Sequence, residues 1–236
     1  MKGDIDLAVH SLKDLPTQTP KGLVIGAVTK REDPRDVLVT SQQQLVTRVK
    51  RIGTSSQRRK AQLLVKWPDV QVVDIRGNLD TRLKKLAAGE FDAIVLARAG
   101  LVRLKIAGKG LSIRPLRIVD MIPAPGQGAL AIEIREGDTK IRKIAQVLED
   151  KDTRAETTAE RSLLEALGGG CQIPVGAYAK RTGKKIILQA IVASIDGKRV
   201  LRSKISGNAD FPARLGQKLA KKLLEQGAGQ ILSEKR

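Results

Sequence analysis

The sequence GGGCQIPVG, residues 168–176, contains the only cysteine of the chain, Cys171. Three glycines before the thiol and Pro174 after it predict a fixed loop rather than a helix or a strand. Because glycine has no Cβ, the backbone of this loop can approach a bulky group held at Cys171. The pattern indicates a presented thiol, although a lone cysteine is also typical of a small buried apolar side chain.

The part of the chain around and after this loop, residues 150–236, is predicted to form an α+β domain. Two apolar segments, residues 185–193 and 199–205, predict strands. Asp196-Gly197 between them is typical of a hairpin turn.

Helices are predicted on both sides of the loop. Thr153 to Glu156 has the form of a capping box and predicts a helix that opens there and ends at Leu167. Asp210 is predicted to cap a second helix that begins near Pro212. Residues 138–150 carry apolar side chains at helical spacing and predict an amphipathic helix.

The earlier part of the chain alternates between strand and helix patterns, which is typical of an α/β fold. Residues 35–120 are predicted to form one α/β domain. Residues 1–30 and 121–140 are predicted to belong to another, with the charged, proline-broken segment 31–36 crossing between the two.

The chain is strongly basic, with 44 Lys and Arg against 25 Asp and Glu and a net charge of +19. Aromatic residues make up only 2% of it, so a stacking platform for single-stranded nucleic acid is not expected. One cysteine and one histidine, His10, argue against a Cys- or His-rich metal site. The sequence lacks an apolar run of membrane-spanning length, and its first residues do not read as a signal peptide, so we expect a cytoplasmic protein.

Lys13 and Asp14 follow the apolar strand pattern of residues 4–9. In open α/β sheets the ligand site lies at the carboxyl ends of the strands, so both side chains stand where chemistry is expected. A Lys beside an Asp is also common as a surface pair of little energetic value.

Ser56, Arg58 and Arg59 stand where a helix is predicted to begin. A helix start offers unpaired N–H groups and the positive end of the helix dipole, and the two arginines strengthen this attraction for a carboxylate or phosphate. A plain capped surface helix is the alternative.

Further arginines follow the next predicted strands. Arg76 ends one strand, and Arg82 occupies an apolar position on the helix predicted over residues 79–89. An inward guanidinium is costly unless an anion meets it, so this pair indicates a ligand carboxylate. Arg103 follows another buried strand, and Gln127 lies in a dense Pro/Gly turn that is typical of a hinge or a ligand-facing loop.

Six motifs occur in a fixed order: HSLKDLP (10–16), REDPRD (31–36), GTSSQRR (53–59), RGN (76–78), GQG (126–128) and GGCQIPVG (169–176). Together they resemble the porphobilinogen deaminase family, also called hydroxymethylbilane synthases, along essentially the whole chain. The resemblance implies stepwise head-to-tail condensation of four porphobilinogen molecules with release of ammonia. It also implies two periplasmic-binding-protein-like α/β domains around a cleft, the first truncated, plus a C-terminal α+β domain.

The resemblance further implies a dipyrromethane cofactor bound by a thioether to Cys171, with Asp14 as the acid/base carboxylate. The expected cofactor-binding residues are Cys171, Lys13, Ser56, Arg58, Arg59 and Gly170. The expected substrate-binding residues are Arg76, Arg82, Arg103 and Gln127. The resemblance implies a monomer that uses porphobilinogen and binds neither nucleic acid nor membrane.

Family members begin several dozen residues upstream, so we expect a first domain that lacks its first strand and helix. Ile5, Leu7 and Val9 would then lack cover, and residues 1–30 are expected to be loosely held. The alternative function is that of an inactive truncated homologue, which would bind anions at most.

Overall fold

The computed structural model describes residues 4–41, 49–106, 110–169 and 173–234. In chain order its strands are β1 (Leu7–Ser11), β2 (Leu23–Val28), β3 (Asp36–Ser41), β4 (Arg51–Gly53), β5 (Gln71–Val73), β6 (Ala93–Ala97), β7 (Leu111–Pro115), β8 (Leu130–Arg135), β9 (Val175–Thr182), β10 (Lys185–Ala193) and β11 (Val200–Asn208). Its helices are α1 (Gln57–Lys66), α2 (Leu79–Ala87), α3 (Arg98–Arg103), α4 (Thr139–Gln146), α5 (Lys151–Ala166), α6 (Pro212–Glu225) and α7 (Ala228–Ser233), with a 3₁₀ turn at Leu12–Asp14. None of the helices in these ranges is long and apolar enough to cross a bilayer.

The first sheet has the order β1-β8-β2, with β8 antiparallel to both neighbours. Its register pairs Leu7 with Ile134. Helix α4 covers β2 and β8 on one face. Strand β1 lies at the edge, and Ile5, Leu7 and Val9 are 68%, 38% and 58% exposed. The exposure of these three side chains agrees with the loose packing expected for residues 1–30, which stays a prediction.

The central sheet has the order β5-β4-β6-β3-β7. Strand β4 runs parallel to β5 and β6, whereas β3 runs antiparallel to β6 and β7. Apolar clusters around Ile94 on one face and Ile52 on the other form its core. Because β4 and β5 end side by side, the segments that follow them meet at one edge of the sheet.

The C-terminal sheet has the order β11-β10-β9 and is wholly antiparallel. Helices α5 and α6 pack on it, and Leu163, Leu188 and Leu219 are fully buried between them. The predicted hairpin at Asp196-Gly197 is confirmed as the β10–β11 connection. The loop prediction for residues 168–176 is wrong at its end, because Val175 and Gly176 pair with β10 and open β9.

Helix ends or caps differ from the sequence prediction in α4, α5 and α6. Helix α5 begins at Lys151, because Asp150 rather than Thr153 accepts the capping hydrogen bond, from Thr153 N at 2.7 Å. Helix α6 begins at Pro212 as predicted, but Phe211 takes the N-cap position that was expected for Asp210. Helix α4 ends at Gln146, so the helix predicted to reach residue 150 is shorter than expected.

The C-terminal sheet docks against the segment that follows β7. Ala177 N donates to Pro123 O at 2.9 Å, and Arg202 Nη1 donates to Val119 O at 2.8 Å. The hairpin turn reaches α1, since a Cβ on Gly197 would lie 2.9 Å from both Leu64 Cβ and Val65 N. The C-terminal sheet thus contacts both the connection between β7 and β8 and the second half of α1.

Candidate functional site

A cavity of about 430 Å³ lies between the 3₁₀ turn after β1 and the start of α1. Its walls include the predicted residues Lys13, Asp14, Ser56, Arg58, Arg59 and Arg76. The first two come from the first sheet, whereas the others follow β4 and β5 of the central sheet. The carboxyl ends of strands from two sheets therefore face each other across one space, as expected for an open α/β site.

The start of α1 is built as predicted from its sequence. Ser56 is the N-cap, and its hydroxyl accepts a hydrogen bond from Arg59 N at 3.4 Å. Ser55 Oγ bridges to the segment after β5, with Ile75 O and Ile75 N at 2.8 and 3.0 Å. These bonds hold the positive end of the helix toward the cavity, where it attracts an anion.

Asp36, at the start of β3, lies fully buried beneath the cavity. Arg58 Nη1 donates to Asp36 Oδ2 at 2.7 Å, and Arg59 donates to Oδ1 through Nε at 3.0 Å and Nη2 at 2.7 Å. Gln127 Nε2 also donates to Oδ1, at 2.9 Å. Burial alone would raise the pKa of the Asp36 carboxyl, but the two guanidinium groups hold that pKa well below its usual range.

Arg58 and Arg59 were expected to bind a ligand anion, but these contacts show that they also bind a carboxylate of the protein. Arg58 and Arg59 are buried and part of their hydrogen-bonding capacity serves the protein, since Arg58 also binds Ile122 O and Arg59 binds Val95 O. Sequence reasoning placed them as direct anion ligands and missed this internal carboxylate. The signal was present in the charged segment 31–36, whose last aspartate begins a strand.

Lys13 extends toward Gln127, with its Nζ 3.5 Å from Gln127 Oε1. Burial, followed by the positive charge of Arg59, lowers the pKa of Lys13 to about 8, against the opposing effects of Asp14 and Asp36. Lys13 is therefore a cation whose charge depends on pH near neutrality.

A second cavity of about 490 Å³ adjoins the first on the other side of Lys13, Asp14, Arg59 and Gln127, which line both. Arg82 and Arg103 lie in this second cavity, whereas Arg76 lies in the first. The structure therefore separates Arg76 from Arg82, which the sequence suggested as a pair.

The second-cavity arginines are each tied to the backbone of the cleft wall. Arg82 Nε donates to Gly77 O at 2.8 Å, and Arg103 Nη2 donates to Gly128 O at 2.7 Å. Burial, and then Arg59, lowers the pKa of Arg82. Arg82 is half-buried, as its apolar helix position predicted.

Asp14 lines both cavities and is exposed to them. Its 3₁₀ turn is held by Arg161 of α5, whose Nη1 donates to Leu12 O at 3.2 Å and Leu15 O at 3.1 Å. Arg161 Nη2 also donates to Pro16 O and Thr17 O. Sequence reasoning missed Arg161, because only the fold brings residue 161 beside residues 12–17.

Glu160, the neighbour of Arg161, also connects α5 to distant segments of the chain through hydrogen bonds. It accepts from Arg31 at 2.7 and 3.1 Å, from Gly126 N at 2.7 Å and from Ala179 N at 2.8 Å. Arg31 and Gly126 belong to the two segments that connect the first and central sheets. The C-terminal part of the chain thereby fixes both connections beside the cleft.

Cys171 and Gly170, the predicted covalent attachment residue and its neighbour, lie outside the described residues. Within the described ranges, three or more His, Cys, Asp or Glu side chains do not come together in a way that could hold a metal ion. The chemistry visible at the site is that of two exposed carboxylates, Asp14 and Asp74, facing several cations, which suits a small polyanion and a proton transfer.

Comparison with known sequences finds two family matches. The family "Porphobilinogen deaminase, dipyromethane cofactor binding domain" matches residues 1–143, and "Porphobilinogen deaminase, C-terminal domain" matches residues 154–225. Curated relatives named porphobilinogen deaminase include one from Prochlorococcus marinus (strain MIT 9515), 48% identical over 98% of this chain and 75% of the relative. Another, from Desulforudis audaxviator, is 48% identical over 99% of this chain and 76% of the relative.

Comparison with solved structures finds, among others, an amino acid ABC transporter substrate-binding protein from Streptococcus pneumoniae. It is 12% identical, with a TM-score of 0.39 over 62% of this chain and 61% of that chain. The periplasmic VFT2 domain of Bordetella pertussis BvgS gives a TM-score of 0.36 at 19% identity, over 60% of each chain. The α/β assignment rests on the sheets and the family matches, because TM-scores this low do not establish a shared fold.

Proposed function

Because the chain belongs to the porphobilinogen deaminase family, we propose that the two cavities beside Asp14 form its active-site cleft. The family's function is the head-to-tail condensation of four porphobilinogen molecules, with release of ammonia, on a covalent dipyrromethane cofactor. That transferase function of porphyrin biosynthesis is the function of this chain. The alternative of a non-catalytic anion-binding module is not favoured, because the match to these enzymes covers nearly the whole sequence.

The observation that supports this location is the placement of Lys13 and Asp14 opposite Arg58 and Arg59 in one cavity. Each pyrrole of the substrate and cofactor carries two carboxylates, so the bound chain is a polyanion. Cationic side chains bind carboxylates through charge-assisted hydrogen bonds, which are stronger than neutral ones.

The cofactor fits the donor set of the first cavity. We assign its thioether to Cys171 and the binding of its carboxylates to Lys13, Ser56, Arg58 and Arg59, with Gly170 allowing close approach of the loop. When bound, dipyrromethane supplies the primer on which the product is built. The residues of the chain bind its charge and orient it.

Asp14 is assigned the acid/base role. A carboxylate at this point stabilises positive charge that develops on a pyrrole nitrogen as ammonia leaves, and it can accept or return the proton that the condensation moves. Its backbone is fixed by Arg161, so its position is set before substrate binds. Preorganised charge of this kind is usually the largest single contribution to catalysis.

The incoming substrate is assigned to Arg76, Arg82, Arg103 and Gln127. Arg82 and Arg103 belong to the second cavity, which continues from Asp14 and gives room beyond the cofactor. Gln127 lines both cavities, so it is placed to contact substrate at their boundary while its amide also contacts Lys13 and Asp36.

The predicted domain division remains part of this proposal: residues 1–30 with 121–140, residues 35–120, and residues 150–236. We further propose a cytoplasmic monomer that binds neither nucleic acid nor membrane. Its basic charge serves the polyanionic product and a solvated surface.

The test is turnover of porphobilinogen by the purified chain, measured as hydroxymethylbilane formed and ammonia released, together with intact-mass analysis. An adduct of two linked pyrrole units on the chain and steady product formation are expected. A bare thiol in protein made by cells that synthesise porphobilinogen, with porphobilinogen bound but unreacted, would support the anion-binding alternative instead.

A further inference from the structure

Asp36 is a buried carboxylate beneath the cleft and is not among the assigned ligands. It lies at the end of the connection from the first sheet to the central sheet, as the first residue of β3. Its two oxygens contact Arg58, Arg59 and Gln127 at 2.7–3.0 Å. All three of these partners also line the first cavity.

The partners of Asp36 come from two parts of the chain. The arginines come from the first turn of α1, and Gln127 comes from the connection that returns to β8. Gln127 also donates to Pro34 O at 2.7 Å, so its amide ties the two connections together. One carboxylate therefore links the anion-binding helix to both segments that join the two sheets.

We propose that Asp36 is a positioning residue that acts as the internal counter-ion of the cleft, holding Arg58 and Arg59 in place directly and Lys13 through Gln127. This proposal rests on the proposed function for the identity of the bound anion. Two adjacent buried guanidinium groups repel each other and Lys13, and a buried carboxylate between them offsets this repulsion.

The charges that face Lys13 come from three elements. Arg58 and Arg59 of α1 act to remove its proton, whereas Asp36 of β3 and Asp14 of its own turn act to retain it. Without the Asp36 charge, burial and the two arginines still lower the pKa of Lys13, and only Asp14 still raises it. Lys13 would then become neutral at a lower pH, and the cleft would lose a cation that binds carboxylate.

A role in packing alone predicts a different result. If Asp36 only stabilised the fold, its substitution would lower the unfolding temperature and leave the titration of Lys13 unchanged in the folded protein. The titration of Lys13 therefore separates the two roles.

The experiment is competitive acetylation of the full chain with acetic anhydride at a series of pH values, with the label on Lys13 quantified by peptide mass spectrometry. In the wild type the labelling midpoint is expected near pH 8. In Asp36→Asn it is expected to fall by about one pH unit. The matched control is Asp33→Asn, which removes a carboxylate of the same connection that pairs with Arg35 and Arg98, and it should leave the midpoint unchanged.

A charge-balanced double variant keeps the test decisive if Asp36→Asn does not fold. Asp36→Asn with Arg59→Gln removes one anion and one cation, so the Lys13 midpoint is expected to return to pH 8 or above. An unchanged midpoint in folded Asp36→Asn, or a midpoint in the double variant well below that of the wild type, overturns the proposal.

A second measurement tests the effect of Asp36 on ligand binding: the affinity for porphobilinogen, measured by isothermal titration calorimetry. Asp36→Asn is expected to bind porphobilinogen at least about tenfold more weakly at pH 8, since an oriented charged partner is lost. Wild-type affinity in the variant contradicts the proposal. Because acetylation needs no turnover, a failure of the proposed function leaves the Lys13 result interpretable.

Discussion

The guanidinium of Arg31 binds the carboxylate of Glu160 through two hydrogen bonds of 2.7 and 3.1 Å, across 129 residues of sequence. Both side chains are almost fully buried, and Arg31 also lies 5.3 Å from the centre of the Tyr178 ring. Since Glu160 serves two backbone N–H groups as well, this ion pair is the central polar contact between the C-terminal sheet and the cleft.

Removing one partner of this pair should be strongly destabilising. Arg31→Gln leaves the buried Glu160 carboxylate without its cation, and a loss of about 3–5 kcal/mol in the free energy of unfolding is expected. Arg35→Gln is the control, because Arg35 pairs with Asp33 at a more exposed site and should cost about 1 kcal/mol or less. Urea denaturation measures both, and equal small losses would refute the central role of the pair.

Asp14→Asn keeps the shape of the side chain but removes its charge and its proton transfer. We expect turnover to fall by about 10²–10⁴-fold, while the KM for porphobilinogen changes little. Steady-state kinetics give both constants. Turnover equal to that of the wild type would rule out the acid/base role of Asp14.

Cys171→Ser tests the attachment of the cofactor. A serine hydroxyl is a much poorer nucleophile than a thiol, so the variant should fold but carry no dipyrromethane adduct. Intact mass shows the adduct, and circular dichroism checks the fold. A full adduct that remains on residue 171 would show that this assignment is mistaken.

The pH dependence of ligand binding should follow Lys13. Its pKa of about 8 lies below the usual lysine value, so its charge is present below pH 8 and is lost as the pH rises through 8. Affinity for porphobilinogen should therefore weaken from pH 7 to pH 9. Lys13→Arg stays charged over this range and should flatten the profile. A wild-type affinity that is constant from pH 7 to pH 9 would argue against Lys13 as a ligand.

Gly197 allows the β10–β11 turn to touch α1. Its φ is +73°, and an added Cβ would also meet Leu64 and Val65 at 2.9 Å. Gly183→Ala is the control, with φ +60° and open space around it, and should cost about 1–2 kcal/mol. Gly197→Ala should lower the free energy of unfolding by about 1–3 kcal/mol more than the control does, because the added methyl group overpacks the contact with α1. Thermal unfolding of both variants measures the difference, and equal costs would mean that the contact with α1 contributes nothing.

Local patterns in the sequence predicted many of the elements of the fold. The strand predicted over residues 185–193 is β10 residue for residue, and Ser56 caps α1 as expected. Strands β3 and β7 were not predicted, because β3 is buried on both faces and follows a charged segment that hides its start. The start of β9 was assigned to a loop, because Pro174 and Gly176 are typical of loops and only the pairing with β10 reveals a strand.

The cleft was predictable where a motif ended a strand or began a helix. Lys13, Asp14, Arg58 and Arg59 were found in this way and lie together in the structure. Asp36, Arg161 and Glu160 were not found, because each acts through partners that are distant in the sequence. Long-range polar contacts of this kind leave no periodic pattern to read.

The edge position of β1 also bears on the order in which the chain can fold. Its only hydrogen-bonded neighbour among the described strands is β8. Leu7 therefore cannot pair until Ile134 is present in the growing chain. During synthesis the pairing of β1 with β8 thus cannot form until β8 has been made. Pairings this distant are slow to form and leave apolar strand edges open to aggregation in the meantime. The cleft residues Lys13 and Asp14, which follow β1 directly, come into position only once that late pairing is made.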